Sequence, residues 1–274
     1  MILKASAIGM LPALYSWQIE PFWVEFVERD LPIKNLPENL KGKILMQISD
    51  LHVGNRFDWN FLIDSFQEAK KFNPDIVVYT GDYVNHSTEK DHKSLEMVMK
   101  DAVFGKLGTF GILGNHDYGK NWKDVGASQT VTKILSDSGV KMLMNEQENC
   151  EGLNIIGLDD FWSPNFDPLK VMKAYNSHIA SLVLCHNPDV CDLDVWNGYQ
   201  GWILSGHTHG GQCRIPGVIT PILPVKNRNY VSGEIDLGDG RMLYINRAIG
   251  HSYQIRFMVR PEITVFKLIS DEQI

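Results

Sequence analysis

The sequence predicts one α/β domain, a mixed sandwich with helices on the outside and a strand-rich C-terminal half. Three observations lead to this fold class. Short apolar runs that stop abruptly at a polar residue alternate with segments of helical periodicity. No internal repeat and no low-complexity linker divides the 274 residues. The composition, 44% hydrophobic and 22% charged, is typical of a globular chain with a sizeable core.

Strand and helix alternate in the first half of the chain. Lys43–Ser49 is a short apolar run that ends at Asp50, which is typical of a buried strand. Trp59–Phe72 has apolar side chains at helical intervals, and Pro74 ends the pattern. By the same criteria, we predict strands at Phe22–Leu31, Asp75–Thr80 and Thr109–Leu113, and helices at Leu95–Val103 and Val131–Ser136.

The second half is mostly short strands, each an apolar run between turn residues. They are predicted at Leu153–Leu158, Leu182–Cys185, Trp202–Ser205, Gly233–Asp236, Met242–Asn246 and Glu262–Leu268. We expect these strands and those of the first half to form the interior of a single domain over residues 21–274.

The charge and the cysteines exclude some classes of function. Lys and Arg number 26 against 33 Asp and Glu, a net charge of −7, and no basic stripe is present. Binding to duplex nucleic acid requires clustered cations, so we expect a small or lipid-linked substrate instead. The four cysteines match neither a zinc ribbon nor a redox pair, so we expect reduced, mostly buried thiols.

The first fifteen residues, Met1–Tyr15, are apolar except for Lys4 and the break at Pro12. A membrane-spanning helix needs about 20 apolar residues, so this segment is too short for a complete span. We therefore set residues 1–20 apart from the domain. Two interpretations remain open, a helix that covers part of the core, and a membrane-associated segment or anchor remnant.

Residues of the kind that bind metals follow several of the predicted strands. Ligands of open α/β folds gather at the carboxyl ends of strands, so these residues predict a common site. Five of the nine histidines take part. The residues concerned are Asp50 and His52, Asp82, Asn115 and His116, His186, and His207 and His209.

The spacing and the donor atoms indicate a metal centre. Residues two apart in an extended chain point to one side, so Asp50 and His52, like His207 and His209, are expected to aim at one cavity. Carboxylate and amide oxygens with imidazoles, and without thiolates, suit Mn²⁺, Zn²⁺ or Fe. The seven candidate ligands, which leave out His116, exceed the four that one tetrahedral ion takes, so we expect two divalent ions.

These residues form motifs that resemble the signature of the calcineurin-like metallophosphoesterases. The motifs are Asp50-Leu-His52, Gly81-Asp82, Gly114-Asn115-His116-Asp117, His186 and Gly206-His207-Thr208-His209. The resemblance runs from about Lys43 to Leu268. It implies a four-layer α/β/β/α sandwich of mixed sheets with a dinuclear metal centre.

The resemblance also implies a role for each site residue. One ion would be bound by Asp50, His52 and His209, the other by Asn115, His186 and His207, and Asp82 would bridge the two. His116 would face the scissile phosphate as a catalytic acid, and Asp117 would orient it.

Longer motifs resemble a bacterial subgroup of membrane-associated phosphodiesterases, the YkuE and YaeI type. These motifs are Ser49–Gly54, Gly206–Gln212, Asn246–Gly250 and Arg260–Glu262. Some members hydrolyse UDP-diacylglucosamine. The resemblance thus implies a phosphodiesterase or pyrophosphohydrolase that uses a metal-bridging hydroxide. Its substrate would be a phosphate ester, which is lipid-linked in the case of UDP-diacylglucosamine. We expect the protein in the cytoplasm or at the membrane surface, with an exported form as an open alternative.

Two other functions stay open. One is a soluble phosphodiesterase or phosphomonoesterase of broad specificity. The other is a metal-binding scaffold without turnover, against which the intact pair His116 and Asp117 argues. Nearby aromatic residues either line the substrate cleft or belong to the core; they are Tyr118, Trp122, Phe161 and Trp162.

Overall fold

A computed structural model describes residues 12–54, 59–215, 217 and 222–271 of the chain. Within these residues, twelve strands form two six-stranded mixed sheets, so the predicted α/β sandwich is confirmed. The strands are β1 Glu25–Ile33, β2 Ile44–Ile48, β3 Ile76–Thr80, β4 Gly108–Ile112, β5 Lys141–Met142, β6 Glu146–Cys150, β7 Leu153–Gly157, β8 Ser181–Leu184, β9 Trp202–Ser205, β10 Gly233–Asp236, β11 Met242–Ile245 and β12 Glu262–Ser270.

The helices are few and short. Besides residues 12–18, the α-helices of the described residues are α1 Asn60–Lys70, α2 Glu89–Met99, α3 Val125–Asp137 and α4 Leu169–Met172. Single turns of 3₁₀-helix occur at Glu20–Phe22, Glu38–Leu40, Asn115–Tyr118, Lys120–Trp122, Pro188–Asp192 and His209–Gly211.

The first sheet has the order β1-β12-β2-β3-β4-β5. Strands β2 to β5 run parallel to one another, while β12 is antiparallel to β2. The carboxyl ends of β2, β3 and β4 therefore meet at one edge, and the loops after them can converge.

The second sheet has the order β10-β11-β9-β8-β7-β6. Strands β7, β8, β9 and β11 are parallel, with β10 and β6 antiparallel on the two edges. This arrangement brings together the carboxyl ends of β7, β8 and β9, as in the first sheet.

Alternate side chains of the strands point to opposite faces of the sheets, and together they form three apolar layers. Ile76 and Val78 of β3 pack with Leu182 and Leu184 of β8 between the two sheets. The other face of β3 packs against α1, α2 and α3. The outer face of the second sheet is covered by α4, the turn Pro188–Asp192 and loops. The order of layers is thus α/β/β/α, with the fourth layer mostly irregular.

Two helices begin earlier than the hydrophobic pattern predicts. Helix α2 begins at Glu89 because Thr88 and Asp91 form a capping box there. Helix α3 begins at Val125 because the Asp124 side chain accepts a hydrogen bond from the Ala127 amide. The predicted starts at 95 and 131 were wrong for two reasons. The first turn of α2 is polar, and the first turn of α3, Val-Gly-Ala-Ser, consists mostly of small residues without a helical apolar period.

Two strand predictions also need correction. The first strand begins at Glu25 rather than Phe22, since Pro21 lies within a preceding 3₁₀ turn. The edge strand β6 was not predicted because its sequence, Glu-Gln-Glu-Asn-Cys, is polar and lacks apolar alternation. Cys150, Cys185 and Cys191 are buried, as expected.

Most of the apolar segment Met1–Tyr15 lies outside the described residues. Residues 12–18 are helical, and the Ser16 carbonyl accepts a hydrogen bond from the Arg256 amide. In the parts of the chain that are described, no helix is both long and apolar enough to cross a membrane.

Candidate metal centre

The first group of candidate ligands follows the parallel strands β2 and β3. Asp50 and His52 come after β2, and Asp82 comes after β3. All three have left-handed backbones, with φ of 54°, 47° and 55°. The expectation that Asp50 and His52 converge through an extended chain is therefore wrong, since two left-handed turns bring their side chains together. Strained backbone of this kind is concentrated at functional sites.

Gly81, just before Asp82, allows a close approach of two loops. Its φ is +92°, and a Cβ atom there would lie 2.6 Å from the amide nitrogen of Gly114 and 2.7 Å from Nδ1 of His186. A side chain at 81 would push these two segments apart.

The other candidates follow β4, β8 and β9. Asn115 and His116 lie in the 3₁₀ turn after β4. His186 follows β8, and His207 and His209 follow β9 with φ of 70° and 52°. The structure thus brings residues from five strand ends, in two sheets, to one place.

Three overlapping groups of these side chains could each hold a metal ion. Within each group the ligand atoms lie within 4.8 Å of one another. The groups are Asp50, His52 and His209; His52, Asp82 and His116; and Asp82, His186 and His207. Asp82 and His52 each belong to two groups.

Individual distances show how compact the centre is. Nε2 of His209 lies 3.2 Å from Oδ1 of Asp50, and Nε2 of His186 lies 3.3 Å from Oδ2 of Asp82. The Nε2 atom of His52 is 3.7 Å from the same Asp82 oxygen. All five side chains are almost fully buried.

Backbone carbonyls fix the orientation of two of the histidines. Nδ1 of His186 donates to the Thr80 carbonyl at 2.7 Å, and Nε2 of His207 donates to the Pro224 carbonyl at 3.0 Å. A carbonyl only accepts, so each of these nitrogens carries a proton, and the other nitrogen of each ring carries the lone pair whenever that ring is neutral. Those nitrogens, Nε2 of His186 and Nδ1 of His207, lie 3.2 Å apart and face the centre. This arrangement is typical of histidines that ligate metals.

Unpartnered buried atoms provide a test of the fit to cations. Oδ1 of Asn115 is buried and has no hydrogen-bond partner within the described ranges. Nε2 of His52 lies 3.0 Å from Nε2 of His209. A neutral imidazole has a lone pair on one nitrogen, so both Nε2 atoms could ligate the same cation. An oxygen without a donor and two crowded imidazoles are what a cation would satisfy, so the residues fit the two divalent ions expected from the sequence.

Burial and the neighbouring charges shift the pKa values of these groups. Burial would raise the pKa of Asp50, but the charge and hydrogen bond of His209 lower it to about 2. Burial and the charge of His186 lower the pKa of His207 to about 3. The centre therefore presents an ionised carboxylate and a neutral imidazole, the protonation states of metal ligands.

The structure contradicts the expected contact between His116 and Asp117. Nδ1 of His116 donates instead to the Asn85 carbonyl at 2.6 Å. The Asp117 carboxylate is fully buried and accepts four backbone amides, those of Asp82, Tyr83, Val84 and Gly114. Since these amides belong to the loops that carry Asp82 and Asn115, Asp117 holds the two loops together. Its oxygens are occupied by the amides rather than by the His116 ring.

Asp160 is a residue that the sequence analysis missed. It follows β7, is 1% exposed, and its Oδ2 atom has no hydrogen-bond partner in the described part of the chain. Burial raises its pKa to about 7, although the nearby charge of His186 opposes the rise. The signal was available, since Leu158-Asp159-Asp160 ends an apolar strand just as Asp50 and Asp82 do.

The aromatic candidates divide into two kinds. Tyr118 belongs to the core, where its hydroxyl donates to the Asp159 carboxylate at 2.6 Å. Trp162 packs edge-on against His207 with ring centroids 4.8 Å apart, and Trp122 stacks on Trp162 at 4.6 Å. These two indoles therefore lie beside the candidate metal centre.

The fold and this centre define a metal-dependent phosphoester hydrolase, and the comparison with protein families agrees. The chain belongs to the calcineurin-like phosphoesterase family, whose model matches residues 44–211. The resemblance drawn from the sequence motifs is thereby confirmed.

Relatives are similar over nearly the whole chain. The uncharacterised metallophosphoesterase YkuE of Bacillus subtilis is 31% identical, over 93% of this chain and 89% of its own. The phosphodiesterase YaeI of Escherichia coli is 28% identical, over 93% and 92%. The UDP-2,3-diacylglucosamine pyrophosphatase LpxG of Chlamydia trachomatis is 27% identical, over 86% and 87%.

Proposed function

We propose that this protein is a phosphodiesterase or pyrophosphohydrolase that works with two divalent ions, Mn²⁺, Zn²⁺ or Fe. The observation that carries the proposal is the position of Asp82. Its carboxylate belongs to one ligand group with His52 and to another with His186, so one side chain could bridge two ions.

Each ion has its own set of ligands in this proposal. The first set consists of Asp50, His52 and His209, and the second of Asn115, His186 and His207. Held by these residues, two divalent cations would lower the pKa of water and would offset the negative charge of the phosphoryl oxygens.

His116 is the candidate for the proton donor. It is half-buried beside His52, with ring centroids 4.8 Å apart, while the other residues of the centre are buried. Its Nδ1–H is held by the Asn85 carbonyl, which leaves Nε2 as the nitrogen that meets the substrate. In the imidazolium form, Nε2–H donates to the leaving oxygen as the phosphorus–oxygen bond breaks.

The experiment is a substrate screen on metal-free protein reloaded separately with Mn²⁺, Zn²⁺ and Fe²⁺. Phosphomonoesters, phosphodiesters and nucleoside-diphosphate lipids are compared, with Asp82→Asn as the inactive variant and the exposed Asp64→Asn as its control. We expect diester or pyrophosphate hydrolysis that requires metal. Equal rates on all soluble esters would favour the broad-specificity alternative, and metal binding without turnover would favour a scaffold.

The exposed apolar surface supports a lipid-linked substrate, of which UDP-diacylglucosamine is an example. Single exposed apolar residues are common, but here they cluster in two segments joined by hydrogen bonds. The side chains, which we call the apolar surface, are Leu14, Trp17, Ile19, Trp23, Tyr253, Ile255 and Met258. The segments are joined where the Arg256 amide donates to the Ser16 carbonyl, and where the Met258 amide donates to Glu20.

Hydrogen bonds connect the apolar surface to the loop that carries His209. Gln212, three residues after His209, donates from its side chain to the carbonyls of Tyr253 and Ile255, both at 3.0 Å. Trp and Tyr are the side chains that favour a membrane interface, because each combines an apolar ring with a polar group. Peripheral binding there would bring a lipid-borne phosphate to the centre.

Liposome flotation tests this part of the proposal. The double variant Trp17→Ser, Trp23→Ser should float less than the parent, while Met97→Ser, which removes an apolar side chain 48% exposed on α2, should float equally. The parent should also show a higher kcat/KM for a lipid-bearing diester than for its water-soluble headgroup. Equal values and no flotation of any form would refute the lipid-linked substrate.

A further inference from the structure

The indole pair Trp122 and Trp162 is a feature of the site that the metal chemistry does not use. The rings are stacked, with an angle of 25° between their planes. Trp162 covers one face of Trp122, and Trp122 remains 41% exposed, so its other face is available to solvent. Trp162 also meets His207 edge-on.

The backbone holds Trp122 in this position against its own preference. Asn121 and Trp122 both have φ of 59°, in the left-handed region. A bulky residue rarely adopts that conformation, and such outliers persist where the surroundings impose them, often at ligand sites. Here Gly119 donates to the His116 carbonyl, and the Trp122 amide donates to the Gly119 carbonyl, which ties Trp122 to the candidate acid.

Trp162 is fixed just as firmly. Its amide donates to Oδ1 of Asp160 at 2.9 Å, and the Ser163 amide donates to the Asp160 carbonyl. The stack is therefore built on two loops of the site. One follows β4 and carries His116, and the other follows β7 and carries Asp160. The exposed Lys120 and Lys123 flank Trp122 and add positive charge suited to a phosphorylated ligand.

Resting on the proposed function, we infer that the free face of Trp122 binds the nucleobase of a nucleotide-bearing phosphodiester or pyrophosphate while its phosphate lies at the metal centre. A base presents a flat π-face that stacks on an indole regardless of sequence, and a single ribose joins it to the phosphate. An alkyl chain has no such face, so the platform selects the nucleotide end of the substrate.

The experiment uses two substrates that differ only in the base, the methyl esters of uridine 5′-monophosphate and of ribose 5-phosphate. For the metal-loaded full chain, we expect Trp122→Ala to lower the ratio of kcat/KM for uridine over ribose by about 5- to 150-fold, mainly through KM. Trp122→Phe should restore most of the ratio because it keeps an aromatic face. Phe104→Ala, which removes an aromatic side chain 38% exposed elsewhere, should leave the ratio unchanged.

A binding measurement separates this inference from the proposed function. Uridine 5′-monophosphate should quench tryptophan fluorescence of the parent, and ribose 5-phosphate should not. Quenching without hydrolysis of either ester would refute the phosphodiesterase and support the platform. Equal loss on both esters in Trp122→Ala, or no selectivity and no quenching in the parent, would refute the platform and leave the indoles as a cover for His207.

Discussion

The imidazoles of His52 and His209 face each other with their Nε2 atoms 3.0 Å apart, although 157 positions separate the two residues in the chain. Both rings are buried, and Nδ1 of each has no hydrogen-bond partner among the described residues. At this distance one ring can donate its Nε2–H to the lone pair of the other, or the lone pairs of both can ligate one cation. Both rings belong to the candidate ligand group of Asp50, so the pair marks one place where a cation would bind.

Substitution of single ligands should change metal stoichiometry in a graded way. We expect the parent to bind two ions per chain, His52→Ala to weaken chiefly one, and Asp82→Ala to lose both because Asp82 belongs to two ligand groups. Elemental analysis after dialysis measures this. Asp64→Ala, an exposed carboxylate on α1, is the control and should bind two. A parent that never exceeds one ion, even in excess Mn²⁺, would contradict the bridging role.

Loss of His116 should reduce catalysis without unfolding the protein. We expect His116→Ala to retain its metals and to lose about 10²–10⁴-fold in kcat, the usual contribution of a positioned acid. The exposed His178→Ala should have no such effect. The loss should be smaller for nitrophenyl than for alkyl leaving groups, since a good leaving group needs less protonation. An equal loss for both would mean that His116 acts through its charge or position instead.

The sequence was informative about the strand ends and much less about their geometry. Apolar runs followed by Asp, Asn or His placed the candidate ligands after β2, β3, β4, β8 and β9, because a buried parallel strand needs a continuous apolar stretch and its loop does not. No sequence pattern predicts the left-handed backbone at Asp50 and His52. Glycine is the usual signal for that conformation, and neither residue is glycine.

The supporting contacts could not be predicted because their partners are distant in the chain. His186 donates to a carbonyl 106 residues away, that of Thr80, and His116 to one 31 residues away, that of Asn85. Any residue type supplies a carbonyl, so composition and spacing carry no trace of these bonds. The misassigned role of Asp117 has the same origin, since its four partners are backbone amides.

Asp117 should therefore contribute strongly to the stability of the fold. We expect Asp117→Ala to lower the free energy of unfolding by at least about 3 kcal/mol, since it leaves buried amides without an acceptor. Asp124→Ala, which removes only the N-cap of α3, should cost about 1 kcal/mol. Urea denaturation of the metal-free forms measures both. Similar costs for the two variants would contradict the role assigned to the Asp117 carboxylate.

Asp160 should make the stability of the metal-free protein depend on pH. Burial raises its pKa from an ordinary 3.8 to about 7, so between these pH values the folded protein keeps a proton that the unfolded chain has lost. The free energy of unfolding of the parent is therefore higher at low pH, and it falls as the pH rises from 3.8 through about 7. Asp160→Asn does not titrate and keeps an Oδ1 acceptor for the Trp162 amide. We therefore expect the variant to gain stability relative to the parent from pH 4 to pH 8, by up to about 4 kcal/mol.

Urea denaturation at both pH values, with a chelator present, measures the gain in Asp160→Asn. A difference that does not change with pH would mean that Asp160 is ionised in the folded protein. Its buried Oδ2 would then be balanced by positive charge. His186 is a candidate for that charge, since it acts on Asp160, and since burial lowers the pKa of His186 but Asp82 raises it more. The comparison thus decides whether this carboxyl adds a negative charge beside the metal centre or stays neutral there.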